Sequence, residues 1–168
     1  MKVLIATSED MERFGQRLGA LAQAADIFIL TGELGAGKTT FTRGFGEALQ
    51  VQTPVSSPTF VVAREHSLVD ASQPPLVHID AYRVGSAAEF DELDIDPATS
   101  IVVAEWAAPY VDVWGMGWVE LAFERPPGQG EDFLSDQPRE VTITGHGDAG
   151  DLVERIVASE EGDRVSRD

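Results

Sequence analysis

Residues 26–45 read DIFILTGELGAGKTTFTRGF, and the three parts of this stretch decide the fold. Residues 26–31 are an almost unbroken apolar run, the pattern of a strand buried on both faces of a parallel sheet. Residues 39–49 place Phe41, Phe45, Ala48 and Leu49 on one side, the pattern of an amphipathic helix. Between them residues 32–39, G-E-L-G-A-G-K-T, satisfy G-x-x-x-x-G-K-[ST] without a mismatch. The chemistry explains the spacing. Gly32 lets the strand end turn sharply, and Gly35 and Gly37 lack a Cβ, so successive backbone N–H groups can curl around phosphate oxygens. Lys38 sets one ammonium against the outer phosphates, and Thr39 offers a hydroxyl to Mg²⁺. The helix that begins here directs its free N–H groups and its dipole at the same anion.

Working outward, apolar strands are expected over residues 3–6, 59–64, 76–79, 101–104, 118–123 and 141–144. Helices are expected after a Ser8 cap, carrying Met11 through Leu21, and over 152–158. Met11, Phe14, Leu18 and Leu21 recur at helical spacing in the first of these. Ser86 and Glu89 form a capping-box pattern ahead of a short helix. Helices alternating with apolar strands predict an α/β, three-layer fold of the P-loop NTPase type, with a largely parallel central sheet and antiparallel additions. One domain is expected over residues 1–158, followed by a fraying acidic tail over 159–168.

The 168 residues carry 29 acids against 12 bases, a net charge of −17, and the imbalance is lopsided. Residues 1–84 hold 9 acids and 7 bases, whereas residues 85–168 hold 20 acids and 5 bases. Only the first half is electrostatically permissive for an anionic ligand. Phosphate neutralisation needs clustered Lys and Arg, so the chain is a poor candidate for gripping nucleic acid or an anionic membrane by itself. The absence of cysteine excludes disulfides, thiolate catalysis and Cys-ligated metals. The longest apolar runs are too short to span a bilayer, the N-terminus lacks a signal-peptide core, and a reducing cytoplasm is expected.

A Mg-nucleotide site needs hard oxygen ligands. Glu105 follows the apolar IVVA and Asp80 follows LVHI, each at the C-terminal edge of an expected strand. One carboxylate can orient a magnesium water while the other positions the attacking water. The plainer alternative is that strand-end acids are merely solvated or cap a helix after them. Trp106 either shields a nucleotide or partner surface or belongs to the core. His78 alternates with Asp80 on one strand face and reads as structural. The Ser56–Thr59 hydroxyl loop is either a nucleotide-sensing switch or a strand entry. Guanine readers usually depend on N-K-x-D or T-K-x-D; with Lys38 in the loop only Lys2 is left, so that element is absent and ATP is the expected nucleotide. The classes that fit are a small ATPase, a small-molecule kinase and a non-catalytic ATP-sensing module.

The ordered set GELGAGKTTFTRGF, SSPTF, HIDAYR and AEW resembles the TsaE (YjeE) family, ATPases of bacterial tRNA threonylcarbamoyladenosine biosynthesis, over about residues 7–110. The resemblance implies Mg-dependent ATP hydrolysis inside a complex with TsaB and TsaD. That complex modifies adenosine 37 of tRNA, which this chain would meet only indirectly. It further implies that Thr39 and Glu105 ligate Mg²⁺ and that Lys38 holds phosphate together with Glu33, Leu34, Gly35, Ala36, Gly37 and Thr40 of the loop. Asp80 would be needed for hydrolysis, making Lys38, Asp80 and Glu105 the catalytic set. Ser57 and Thr59 would lie in a switch-like loop, Trp106 beside the nucleotide, and Thr7 and Arg139 toward the adenine. Glu33 stands where the family commonly has Asp, and the acidic 125–138 loop is extended.

Overall fold

The computed structural model describes residues 1–56, 62–125 and 137–167, with the backbone alone over 164–167. Along the chain come β1 (Lys2–Ile5), α1 (Ser8–Leu21), β2 (Ile27–Gly32), α2 (Lys38–Ala48), β3 (Ala63–His66) and β4 (Leu76–Asp80). After these come α3 (Ala87–Asp91), β5 (Ile101–Glu105), β6 (Trp118–Glu124), β7 (Arg139–His146) and α4 (Gly150–Arg167). The described strands form one sheet in the order β1-β7-β6-β2-β5-β4-β3. Its centre, β6-β2-β5-β4, is parallel. β1, β7 and β3 add antiparallel flanks. The expected architecture is therefore the observed one.

Burial on both sides explains the unbroken apolar strands. Phe28, Leu30, Val103 and Leu121 point to one face, where Phe14 and Leu18 of α1, Phe41 and Phe45 of α2 and Ile156 of α4 cover them. Ile27, Ile29, Val102 and Ala104 point to the other, under Phe90 of α3 and Val111. The aromatic rings on the first face pack edge-on or tilted, Phe28 on Phe45 at 5.0 Å and Phe41 on Phe123 at 5.7 Å.

α1 and α2 approach closely because glycines line their contact. A Cβ on Gly44 would lie 2.1 Å from the Glu12 carbonyl oxygen, and one on Gly15 would lie 2.1 Å from that of Phe41. This sets up a test of magnitudes. In an open helix, Gly→Ala gains roughly 0.5–1 kcal/mol through backbone entropy. At Gly44 the clash is with backbone and has to be relieved by separating the helices, at a cost of about 1–3 kcal/mol. Thermal unfolding should therefore show Gly44→Ala destabilised. Gly162→Ala on α4, where an added Cβ meets nothing within 4 Å, should be stabilised.

Several local expectations shift. Thr7, not Ser8, caps α1: its Oγ1 accepts the Asp10 N–H at 3.1 Å, and Ser8 is the first helical residue. Ser86 caps α3 as the capping-box pattern implies, but the Glu89 carboxylate reaches back to the Gly85 N–H at 2.7 Å rather than to that of Ser86. Of the strand expected over 59–64, Ala63 and Arg64 lie in β3, which continues to His66, and residues 57–61 lie outside the described residues. The helix expected over residues 152–158 spans Gly150–Arg167. Its extension is anchored by Arg17 on α1, which donates to both carboxylate oxygens of the buried Glu160 at 3.0 and 3.1 Å. Nearer its start, Arg155 donates to both oxygens of Asp26, at 2.7 and 3.0 Å, and ties α4 to the entry of β2. Among the described residues, no helix is long and apolar enough to cross a membrane.

Candidate nucleotide site

The parallel centre of the sheet brings three strand ends together. Glu105 lies across from Leu30 of β2 and from Asp80 of β4, so both acids flank the loop that leaves β2. A cavity of about 640 Å³ opens there. It is lined by the loop residues Leu34, Gly35 and Gly37, by Lys38, Thr39 and Thr40 of α2, by Asp80 and Glu105, and by Tyr82 and Trp106. Leu34, Gly35, Gly37, Lys38, Thr39 and Thr40 thus meet the sequence-distant Asp80, Glu105 and Trp106 at the carboxyl end of the strands, where open α/β sheets bind ligands.

The loop geometry is set by its glycines. Gly37 has φ 106° and Gly35 φ 77°, conformations that side chains disfavour. A Cβ at Gly37 would also press on the Met11 side chain at 3.2 Å. Gly37 is the N-cap of α2 and supplies no side-chain hydrogen bond, and the first turn of α2 holds no acid. The other helices differ. Thr7 and Ser86 cap α1 and α3, and acids occupy the first turns of α1, α3 and α4. α2 alone presents its N-terminus uncapped by a side chain and without a compensating carboxylate, in the wall of a cavity.

Lys38 is buried and turns back on the loop, donating to the carbonyl oxygens of Gly32 and Glu33, both at 2.8 Å. Its ammonium also lies 5.3 Å from the centre of the Trp106 ring, a cation–π contact. Burial pushes the Lys38 pKa below its ordinary value, while the charges of Glu105 and Asp80 hold it up. A polyphosphate would add to the second influence, so the site stabilises a charged lysine more when an anion enters.

Asp80 is a cap, the plainer reading of a strand-end acid, and it also lines the cavity. Its Oδ1 accepts the Tyr82 N–H at 3.1 Å, capping a short 3-10 turn, and its side chain still lines the cavity. Trp106 is neither core nor fully exposed, at 40% exposure, and stands edge-on to Tyr82 at 5.5 Å. Its φ of 60° is left-handed, a strained state for a bulky residue, which costs about 1–2 kcal/mol and aims the ring at the cavity mouth.

Glu33 and Ala36 line a neighbouring cavity of about 410 Å³ with Gly32, Phe123, Glu124 and Arg125. Arg139 pairs with Ile5 where β1 meets β7, and Thr7 follows two residues after Ile5; neither Thr7 nor Arg139 lines either cavity. The Thr7 hydroxyl is engaged with Asp10, and Arg139 donates to the Gln137 and Pro138 carbonyls. Ser57 and Thr59 lie outside the described residues. Sequence reasoning missed Tyr82 as a wall of the site, although its place two residues past Asp80 was the available signal. It also missed Arg125, whose Nη2 stands 3.9 Å from where a Cβ on Gly35 would be.

The donor set suits Mg-nucleotide. One hydroxyl and two carboxylates are hard oxygen donors. Among the described residues no three His, Asp or Glu side chains group closely enough to hold a metal. Mg²⁺ is usually held by one or two carboxylates together with substrate phosphates.

Residues 5–127 match the family model described as threonylcarbamoyl adenosine biosynthesis protein TsaE. The tRNA threonylcarbamoyladenosine biosynthesis protein TsaE of Streptomyces coelicolor is 46% identical over 142 residues, covering 82% of this chain and 92% of that protein. The corresponding proteins of Mycobacterium leprae and Bacillus subtilis are 36% and 30% identical, covering 73% and 86% of this chain and 81% and 85% of their own lengths. The crystal structure of Bacillus subtilis YdiB superposes with a TM-score of 0.67 at 26% identity, over 95% of each chain. This chain belongs to the TsaE family, which takes part in the biosynthesis of threonylcarbamoyladenosine in tRNA.

Proposed function

We propose that this chain is a Mg-dependent ATPase whose cycle of ATP binding and hydrolysis drives its docking on, and release from, the TsaB–TsaD pair during tRNA modification. The observation that carries the reading is the bare N-terminus of α2, set in one cavity with Lys38, Thr39, Asp80 and Glu105. In this reading the amides of residues 35–39 donate to phosphate oxygens. Lys38 exchanges the Gly32 and Glu33 carbonyls for the outer phosphates. Bound Mg²⁺ neutralises phosphate charge as it develops. The Thr39 hydroxyl and Glu105 are the ligands this chain offers to the ion. Asp80, fixed by the Tyr82 N–H, orients the attacking water, and Trp106 with Tyr82 walls the nucleotide from bulk solvent. The acidic second half disfavours direct contact with tRNA, so the partners hold the nucleic acid.

Measuring ATP turnover by the chain alone, then with TsaB and TsaD, then with tRNA added, tests the proposal. Turnover is expected to rise when the partners are present. A phosphorylated metabolite appearing at the rate of ATP loss would replace the proposal with a small-molecule kinase. Tight ATP binding with no ADP release, even beside the partners, would reduce the chain to a sensing module.

A further inference from the structure

Two histidines lie beneath the site, His66 on β3 and His78 on β4, each 1% exposed. Among the described residues, three buried side-chain atoms lack a hydrogen-bond partner, and all are on these rings: His66 Nε2, His78 Nδ1 and His78 Nε2. Buried polar atoms are nearly always paired in native proteins, so three orphans in one place call for an explanation. Their surroundings are ordered. The register Arg64↔His78 and His66↔Leu76 makes the two rings diagonal neighbours on one sheet face. At the outer end, Thr53 Oγ1 is 2.9 Å from His66 Nδ1. At the inner end, His78 Nε2 is 3.9 Å from Glu105 Oε1.

A neutral imidazole has one N–H donor and one acceptor nitrogen. A single tautomer on both rings, with the proton on Nε2, gives every orphan a role. The Thr53 hydroxyl donates to His66 Nδ1. His66 Nε2–H donates toward His78 Nδ1, directly or through one water. His78 Nε2–H would donate to Glu105, whose Oε1 is 3.9 Å away. Burial, then the neighbouring His78 and Arg64, push the His66 pKa below its ordinary value, against a smaller opposing effect of Thr53. That keeps this ring neutral at pH 7. The 3.9 Å gap to Glu105 is under about an ångström longer than an ordinary hydrogen bond, and hydrogen bonds in such sites commonly tighten only when the ligand is bound.

We infer that His78 is a positioning residue that orients the Glu105 carboxylate, supported through His66 by Thr53 on the segment leading into residues 57–61. The inference rests on the Mg-ATP reading of the site. Histidines that support a metal-ligating group from behind affect metal affinity without touching the metal.

ATP binding, measured by calorimetry with EDTA and with Mg²⁺, should separate the possibilities in wild type, His78→Phe and His78→Gln. Phenylalanine keeps the ring but loses the donor; glutamine restores an N–H near the Nε2 position. Binding in EDTA should be alike in all three. The strengthening by Mg²⁺ should fall about tenfold in His78→Phe and largely return in His78→Gln. If His78→Phe keeps the wild-type Mg²⁺ response, or glutamine does no better than phenylalanine, the positioning role is overturned while the ATPase reading stands. If wild type binds no Mg-ATP, the ATPase reading itself fails. Imidazole ¹⁵N spectra of the wild-type protein give a readout that needs neither variant to fold. The Nε2–H tautomer of His78, with its proton shifting downfield on adding Mg-ADP, is expected; an Nδ1–H tautomer would refute the inference.

Discussion

Replacing Lys38 with alanine is expected to weaken ATP binding by about a hundredfold, since charge-assisted hydrogen bonds contribute about 1.5–3 kcal/mol and the ammonium reaches more than one oxygen. The fold should survive. The lysine makes its two loop contacts through the Gly32 and Glu33 carbonyl oxygens, at 2.8 Å each, and both residues line the neighbouring cavity, where water can replace the ammonium. With ATP held poorly, multi-turnover tRNA modification by the reconstituted system should collapse, although this residue need never touch tRNA. Calorimetry for binding and a multi-turnover modification assay check the two halves separately. Undiminished modification would refute the proposed ATP cycle.

The second large effect separates the two acids. Asp80→Asn keeps an oxygen that can accept the Tyr82 N–H, so the 3-10 turn stays capped while the charge is lost. Turnover should fall about a hundredfold or more, a loss typical of removing one transition-state contact, with ATP binding changed little. Glu105→Gln should differ by weakening the Mg²⁺-dependent part of binding as well, because that carboxylate is assigned to the ion. Steady-state kinetics across a Mg²⁺ titration distinguish them. Equal effects on binding would show that the two roles are misassigned, and intact turnover in both would remove the acids from the chemistry.

Much of this site was legible in the sequence because its physics is local. A strand, a glycine turn and a helix start, contiguous over residues 26–45, specify the loop that lines the cavity, and acids after apolar runs have to emerge at a strand end. The strand order was less legible. Nothing local says that β5 and β6 flank β2, yet that order sets Glu105 and Asp80 beside the loop. Contacts between distant residues were invisible for the same reason. The Arg17–Glu160 pair that carries α4 past Ala158 joins residues 143 apart, so composition alone read the end of the chain as fraying. The Thr53–His66–His78 line depends on β3–β4 register, and from sequence His78 was only an isolated histidine. Caps failed at single-residue resolution: Thr7 and Ser8 are both good caps, and the choice falls to the one whose backbone is extended, with φ −134° and ψ 167°.

The most direct measurement tracks the backbone amides of Gly35, Gly37, Lys38 and Thr39 by ¹H–¹⁵N NMR as Mg-ATP is added. Amides that donate to phosphate oxygens should move strongly downfield and saturate together. If those four resonances stay put at ATP concentrations that saturate any binding to the chain, the triphosphate does not lie against the start of α2, and the assignment of the site is wrong.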